Sequence, residues 1–199
     1  MSSSFIPIYD RTKVMTGQAQ VYIGAYSASA PLALPLDSVA LGGAWPAGFT
    51  AIGATEEGVT LAVARETEDI AIEEQMTPVD VTTTSMDVRV EATLSQDTLD
   101  TMKLAFGGGT ITTTAAGVGT IGKKELVIAS DLDKLTLGFE CKNPDGFFRR
   151  MLVPLVVSIA DVEAAFRRAA NARRYKTSFR TLVKPEDIII RDKTANALP

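Results

Sequence analysis

Three glycines of the segment GVGTIG have the G-x-G-x-x-G spacing with which a loop can hold the pyrophosphate of a dinucleotide: Gly117, Gly119 and Gly122. That chemistry needs a buried strand before the glycines and a helix that opens directly after them. Here the following residues, KKELVIAS, alternate like a strand, and no Gly-Lys-Ser/Thr completes a phosphate-binding P-loop. The sequence therefore predicts a flexible Gly/Thr loop over residues 107–122 and no bound cofactor.

Two acidic pairs have spacings that occur in metal or acid–base sites. Asp131 and Asp133 match the first ligands of a calcium loop, but the glycine and the bidentate glutamate that such a loop needs are missing. Glu73 and Glu74 are adjacent, and adjacent side chains of a strand point to opposite faces, so the two carboxylates cannot share a substrate. We therefore predict no metal site and no catalytic carboxylate pair.

The chain has no histidine and only one cysteine, Cys141. The commonest general base and the commonest metal ligand are therefore absent, and Ser–His–Asp and Cys–His catalysis are excluded. A lone cysteine is typical of a small core side chain, and it cannot form an intramolecular disulfide, which fits a reducing cytoplasm. This composition favours a protein that is not an enzyme.

Charge is unevenly distributed although the net charge is only −4. Residues 56–74 hold seven acids and one base, a sum of −6, whereas residues 142–180 hold nine bases and three acids, a sum of +6. Such asymmetry predicts electrostatic complementarity between copies or with a polyanion; the alternative is two solvated faces of opposite sign. No recognition helix or aromatic stacking platform accompanies the arginines, which argues against sequence-specific DNA binding.

Alternating apolar and polar residues predict a mainly β chain with antiparallel strands. The predicted strands cover residues 18–26, 78–94, 124–130, 134–142 and 147–159, together with two strands inside 58–75 that turn near residues 66–69. Pro154 indicates that its strand is bulged or lies at an edge. Residues 160–183 fit either a helix or strands, and we place them as a strand hairpin that turns near residues 170–172.

One helix and one long connection interrupt the strands. The segment SQDTLDTMKLAFG has a cap-type Ser95, early acids, a late Lys103 and a terminal glycine, which together predict a helix over about 95–106. The proline-rich loop 27–57 is long enough to suggest a function, and it carries Trp45 and Phe49. These apolar side chains must be buried against their own domain or a neighbouring subunit, and we predict that they anchor the loop to a neighbour.

We expect one domain over residues 1–199, with a loose N-terminal arm (1–14) and a C-terminal tail from about 187 to 199. No apolar run approaches the roughly 18 residues that cross a bilayer, so no membrane partner is expected. The first residues, MSSSFIPIYDRTK, lack the basic and apolar regions of a secretory signal.

The order of these elements resembles the major tail protein, or tail tube protein, of long-tailed bacteriophages, especially those of actinobacterial hosts. The resemblance is carried by QVYIGAY, WPAGFTAIGATEEGVTL, TPVDVTTTSMDVRVEATL, SQDTLDTMKLAFG and FFRRMLVPLVVSIADVEAAF, and it covers roughly residues 15–185. The arginine- and alanine-rich run 164–174 departs from the plainer alternation expected there. The resemblance implies an antiparallel β-sandwich or small barrel with a flanking helix.

The same resemblance implies a structural, non-enzymatic protein of the virion tail, made in the host cytoplasm. Its copies would form hexameric rings that stack into a hollow tube, with tape-measure and tail terminator proteins as partners and DNA passing through without specific binding. The alternatives are a tail terminator or a secreted tube ring of related fold, and a monomeric β-domain that binds carbohydrate or protein. A binding groove would be poorly supplied by one tryptophan and four tyrosines.

Under this interpretation the acidic hairpin, which is the pair of strands predicted inside residues 58–75, has two alternative positions. It either lines the lumen, where it repels DNA, or meets the basic C-terminal region of the next ring. The candidate acids are Glu66, Glu68, Asp69, Glu73 and Glu74. The candidate complementary bases are Arg167, Arg168, Arg173 and Arg174.

Overall fold

Within residues 19–53, 55–70, 77–160 and 174–196, which the computed structural model describes, the chain forms ten β-strands and one α-helix. The elements in chain order are β1 (Gln20–Ala25), β2 (Phe49–Ala51), β3 (Thr55–Ile70), β4 (Asp80–Leu94), α1 (Leu99–Ala105), β5 (Gly109–Thr114), β6 (Lys123–Ile128), β7 (Leu135–Lys142), β8 (Phe148–Ser158), β9 (Tyr175–Thr181) and β10 (Ile189–Asp192). The predicted mainly β class is confirmed.

One antiparallel sheet dominates the fold, in the order β2-β1-β7-β8-β9-β4-β3, with β10 paired to β8. Strands β5 and β6 form a separate two-stranded sheet. A single buried cluster joins Val21 of β1, Val90 of β4 and Leu104 of α1, so the large sheet curves around its core and the helix covers part of it. No closed barrel forms among the described strands, and the structure agrees with the sandwich alternative.

The helix lies where the sequence places it but is shorter than predicted, because its N-cap is Thr98 rather than Ser95. Strand β4 continues to Leu94, which pairs with Tyr175 of β9, and the chain stays extended through Thr98. The Thr98 hydroxyl accepts a hydrogen bond from the Thr101 amide at 3.1 Å. The helix ends just before Gly107, whose φ of +84° is easily adopted only by glycine.

Two predicted turns or loops are strands in the structure. The predicted turn near residues 66–69 is wrong, because β3 runs through it with Glu66 opposite Ser85 and Asp69 opposite Val81. The predicted flexible loop over 107–122 is also wrong in its first half, since residues 109–114 form β5. Threonine-rich segments favour strands, and here β6 supplies the partner.

Pro154 is accommodated inside the sheet by a bulge, so the bulge prediction is confirmed and the edge prediction is wrong. Between β7 and β8 the register shifts from Leu137 opposite Val153 to Leu135 opposite Val156, which leaves one extra residue on β8. The other side of β8 pairs with β10 up to Leu152 and with β9 from Val156, and Pro154 lies in the gap between them.

The predicted loop 27–57 is shorter in the structure, because β2 and the start of β3 occupy its last third. Strand β9 confirms the second half of the predicted C-terminal hairpin, whereas its turn and first strand fall largely on 161–173, outside the described residues. Strand β10 occupies part of the segment expected to be a loose tail, because its residues pair with β8.

Candidate assembly surfaces

The loop between β1 and β2 folds back over the outer face of its own sheet. Trp45 stacks on Tyr22 with ring centroids 4.3 Å apart, and it meets Phe49 edge-on at 5.0 Å. Its ring lies directly over Gly138, where any Cβ would collide with it. These contacts are intramolecular; the predicted contact of Trp45 and Phe49 with a neighbouring subunit stays a prediction.

A buried ion pair holds the middle of this loop. The Arg150 guanidinium is 0% exposed and donates from Nε to Glu140 Oε1 at 2.7 Å. It also donates to the carbonyl oxygens of Leu36 at 3.0 Å and Val39 at 2.9 Å, while Glu140 Oε2 accepts from the Gly42 amide at 2.9 Å. The other hydrogen bonds of the pair are thus directed at residues 36–42, which fixes the loop on the sheet.

Sequence reasoning missed this pair because Arg150 counts there only as one of the nine bases of residues 142–180. A signal was present: if the three-residue loop PDG pairs Asn143 with Phe147, counting back from that pair puts Glu140 opposite Arg150, as observed. Burial and the nearby Glu140 carboxylate raise the pKa of the Tyr22 phenol beside the pair. Burial also raises the pKa of the Cys141 thiol, which favours its unreactive protonated form.

The β3–β4 hairpin extends beyond the core, and its outer half, residues 66–70 and 77–85, is exposed on both faces. Glu66 and Glu68 share one face, and Glu66 Oε2 accepts a hydrogen bond from Ser85 Oγ at 2.7 Å. Asp69 lies on the opposite face beside Val81. The candidate acids therefore do not form one cluster, and Glu73 and Glu74 lie outside the described residues.

The same outer half exposes large apolar side chains next to the acids. The residues concerned are Ile70, Val79 and Val81. Apolar residues grouped at one end of a strand pair are typical of a surface that another protein covers. The hairpin therefore combines an apolar and an acidic contribution to a candidate interface.

Of the candidate bases, only Arg174 lies within the described residues, and it pairs with Glu56 of its own chain at 2.5 Å. Arg167, Arg168 and Arg173 lie outside them. Nearby, Asp87 accepts hydrogen bonds from Arg89 at 2.7 Å and Arg180 at 3.0 Å. The hydrogen bond from Arg89, together with the positive charge of both arginines, lowers the pKa of the Asp87 carboxyl.

The GVGTIG segment forms the end of the β5–β6 hairpin, and the strand predicted after it is confirmed as β6. In the part of the chain that the structure describes, no group of three or more Cys, Asp or Glu side chains is placed to hold a metal ion. No helix in that part is long and apolar enough to span a membrane.

A comparison with protein families finds one match that covers more than half of the chain. The family model described as "Phage tail tube protein" matches residues 8–144. This span contains the first seven strands and the helix described above. No curated protein matches the chain.

Proposed function

The chain belongs to the phage tail tube protein family, and on this basis we propose that its copies self-assemble into stacked rings that form the wall of the tube through which DNA leaves the virion. Membership of the family implies a structural protein that associates with itself in the virion tail. Rings of six copies, assembled after synthesis in the host cytoplasm, are the specific form that we propose.

The observation that carries this proposal, beside the family match, is the surface of the β3–β4 hairpin. Its outer half buries no core residue yet presents three large apolar side chains and three of the candidate acids. A monomer gains nothing from such an extension, whereas a polymer can cover it. We propose that the hairpin contacts another copy, and that the loop anchors Trp45 and Phe49 contribute to the same assembly.

The position of the acids in the tube remains a choice between two arrangements. Glu66 and Glu68 point to the same side of the hairpin, so one flat acidic surface can face either the lumen or the next ring. A lumen surface would keep DNA mobile by repulsion, whereas a ring interface would need bases opposite. Arg167, Arg168 and Arg173 are the proposed bases; Glu73 and Glu74 are proposed to extend the acidic surface.

We further propose that the chain acts as one domain, with residues 1–14 as an N-terminal arm. Tape-measure and tail terminator proteins are the proposed partners at the inside and at the end of the tube. The proposed role is mechanical rather than catalytic and uses no cofactor.

Assembly of the purified full-length chain tests the function directly. Electron microscopy and light scattering over roughly 1 to 100 μM, the range in which weak contacts are seen, should show rings and tubes. A single 21.2 kDa monomer throughout that range would contradict the proposal. Closed rings that never stack would instead favour a terminator of related fold.

A further inference from the structure

The β5–β6 hairpin ends in an apolar tip that no part of the described chain covers. Its residues 115–122, AAGVGTIG, carry no charge, and the tip is closed by a bridge between Gly117 and Thr120. Val118 is 108% exposed and Ile121 88% exposed, higher than for any other large apolar side chain among the described residues. Two apolar side chains held out on a paired stem are unfavourable in water unless another surface receives them.

A cleft elsewhere on the chain has the chemistry to receive such a tip. It lies between α1 and the ends of β1 and β2, and its volume is about 710 Å³. Its apolar lining is formed by Ile23, Ile52, Leu104 and Leu135. A pocket of this size and lining suits two or three apolar side chains.

The charges around the cleft favour a neutral occupant. Its lining includes two acids and two bases, and the Lys103 ammonium lies 3.2 Å from the Asp133 carboxylate. The other two charged lining residues, Asp100 and Lys134, have opposite signs, so the four charges of the lining sum to zero and do not favour a charged ligand. An uncharged tip leaves these groups solvated at the rim and contacts the apolar floor.

The turn of the tip has no neighbour from elsewhere in the described residues. A Cβ built on Gly117 or on Gly119 meets no atom within 4 Å, so open space surrounds both sides of the turn. Next to the tip, the stem is held beside α1, where the Lys124 ammonium of β6 lies 3.8 Å from the Asp100 carboxylate. The tip side chains Val118 and Ile121 extend beyond this contact and remain exposed, so they do not fill the cleft of their own chain.

We propose that Val118 and Ile121 of one copy insert into the cleft of a second copy. The choice of a second copy rests on the proposed function, since family membership implies self-association. Tip and cleft are different surfaces, so each copy uses its tip on one neighbour and its cleft on another. Such a heterologous contact closes into a ring or continues into a stack, according to the rotation between copies.

The first test places a carboxylate on the tip. Val118→Asp and Ile121→Asp should each raise the concentration needed for assembly by at least about tenfold, because the cleft floor cannot solvate a charge. Both positions are exposed in the monomer, so circular dichroism and the melting temperature should not change. The matched control is Val127→Asp on the stem of the same hairpin, a site 66% exposed, which should assemble like the parent.

The second test identifies the surface that receives the tip. In a Cys141→Ala background, one population carries Val118→Cys and another carries Thr50→Cys, which lines the cleft. After mixing and assembly, a short bismaleimide should link the two populations to each other more than either to itself. The same linker on the chain that carries both substitutions should give multimers rather than an internally linked monomer.

The outcomes separate this inference from the proposed function. If the parent forms tubes and the tip variants do so equally well, the inference is wrong and the function stands. If the tip variants fail but no cross-link to the cleft forms, the tip is an interface and the cleft is not its receptor, which also overturns the inference. If the parent itself remains monomeric, the proposed function has failed first.

Discussion

Replacing Arg150 with alanine would remove a guanidinium that is completely buried between the sheet and the loop. The change eliminates the ion pair to Glu140 and the hydrogen bonds to the Leu36 and Val39 carbonyls. Glu140, itself 2% exposed, would keep only the Gly42 amide as a partner. Its charge would then be buried without compensation.

The expected loss in the free energy of unfolding follows from that geometry. Removing one member of a buried pair typically destabilises a protein by about 3–5 kcal/mol, because the other charge stays desolvated. For a domain of this size that corresponds to a fall in melting temperature of about 6–20 °C. Since total stabilities are commonly about 5–15 kcal/mol, such a variant should remain folded at low temperature but with a narrow margin.

The neighbouring arginine provides a matched control. Arg149 also binds a carboxylate, Asp192, through two hydrogen bonds of 2.7 and 2.6 Å, but its side chain is 44% exposed. Arg149→Ala should therefore cost no more than about 1 kcal/mol. Urea unfolding followed by circular dichroism measures both variants under identical conditions.

A second variant separates the charge from the hydrogen bonds to the loop. The double replacement Arg150→Met with Glu140→Leu removes both charges, so it should recover part of the loss. It should not recover all of it, because the loop carbonyls still lack donors. If Arg150→Ala and Arg149→Ala lower the free energy of unfolding equally, both by less than about 1 kcal/mol, the buried ion pair does not stabilise the loop as described.

Four further outcomes are expected. Trp45→Ala should impair polymerisation while the monomer stays folded; global unfolding by circular dichroism would show that its intramolecular contacts are essential to the fold. Gly138→Val should displace the indole that covers it, which a red shift in the fluorescence of the chain's single tryptophan would report, and an unchanged spectrum would contradict. Glu66→Gln with Glu68→Gln should leave tube formation intact and slow DNA ejection if the acids line the lumen; if they meet bases of the next ring, high salt should weaken assembly of the parent but hardly affect the variant. The Arg149 hydrogen bond lowers the pKa of Asp192 in the folded state, so the carboxylate stabilises the fold above its unfolded pKa of about 3.9, and this stabilisation is lost as pH falls through the folded pKa. In an acid titration of stability, Asp192→Asn should therefore lose less free energy of unfolding than the parent.

The strands that were predicted well are those with one buried face. In β4, Val88, Val90 and Leu94 point into the core while their neighbours do not, so the period-two pattern is visible in the sequence. The outer half of β3 has no buried face, and polar residues there fall on both sides. The sequence therefore gave no pattern to distinguish a continuing strand from a turn at residues 66–69.

The features that were missed depend on contacts between distant segments. Ser95 and Thr98 are both suitable caps, and the choice depends on how far β4 pairs with β9. Glu140 faces Arg150 for a local reason, the short turn between their strands. That residues 36–42 would then cover both could not be read from the sequence, because the loop lies about 100 positions away.

Strand β3 has one side paired with β4 and, among the described residues, no partner on its other side. An exposed edge of this length is a hazard for a protein that accumulates before it is used, since two free edges can pair and seed a disordered aggregate. In β3 the charges reduce this risk: if two such edges met antiparallel about Thr67, each Glu66 would lie opposite a Glu68, and in parallel register every acid would face its own copy. Like charges placed directly opposite oppose such pairing. The acids that are candidates for a role in the finished tube would thus also keep the unassembled chain soluble until a dissimilar surface is offered to it.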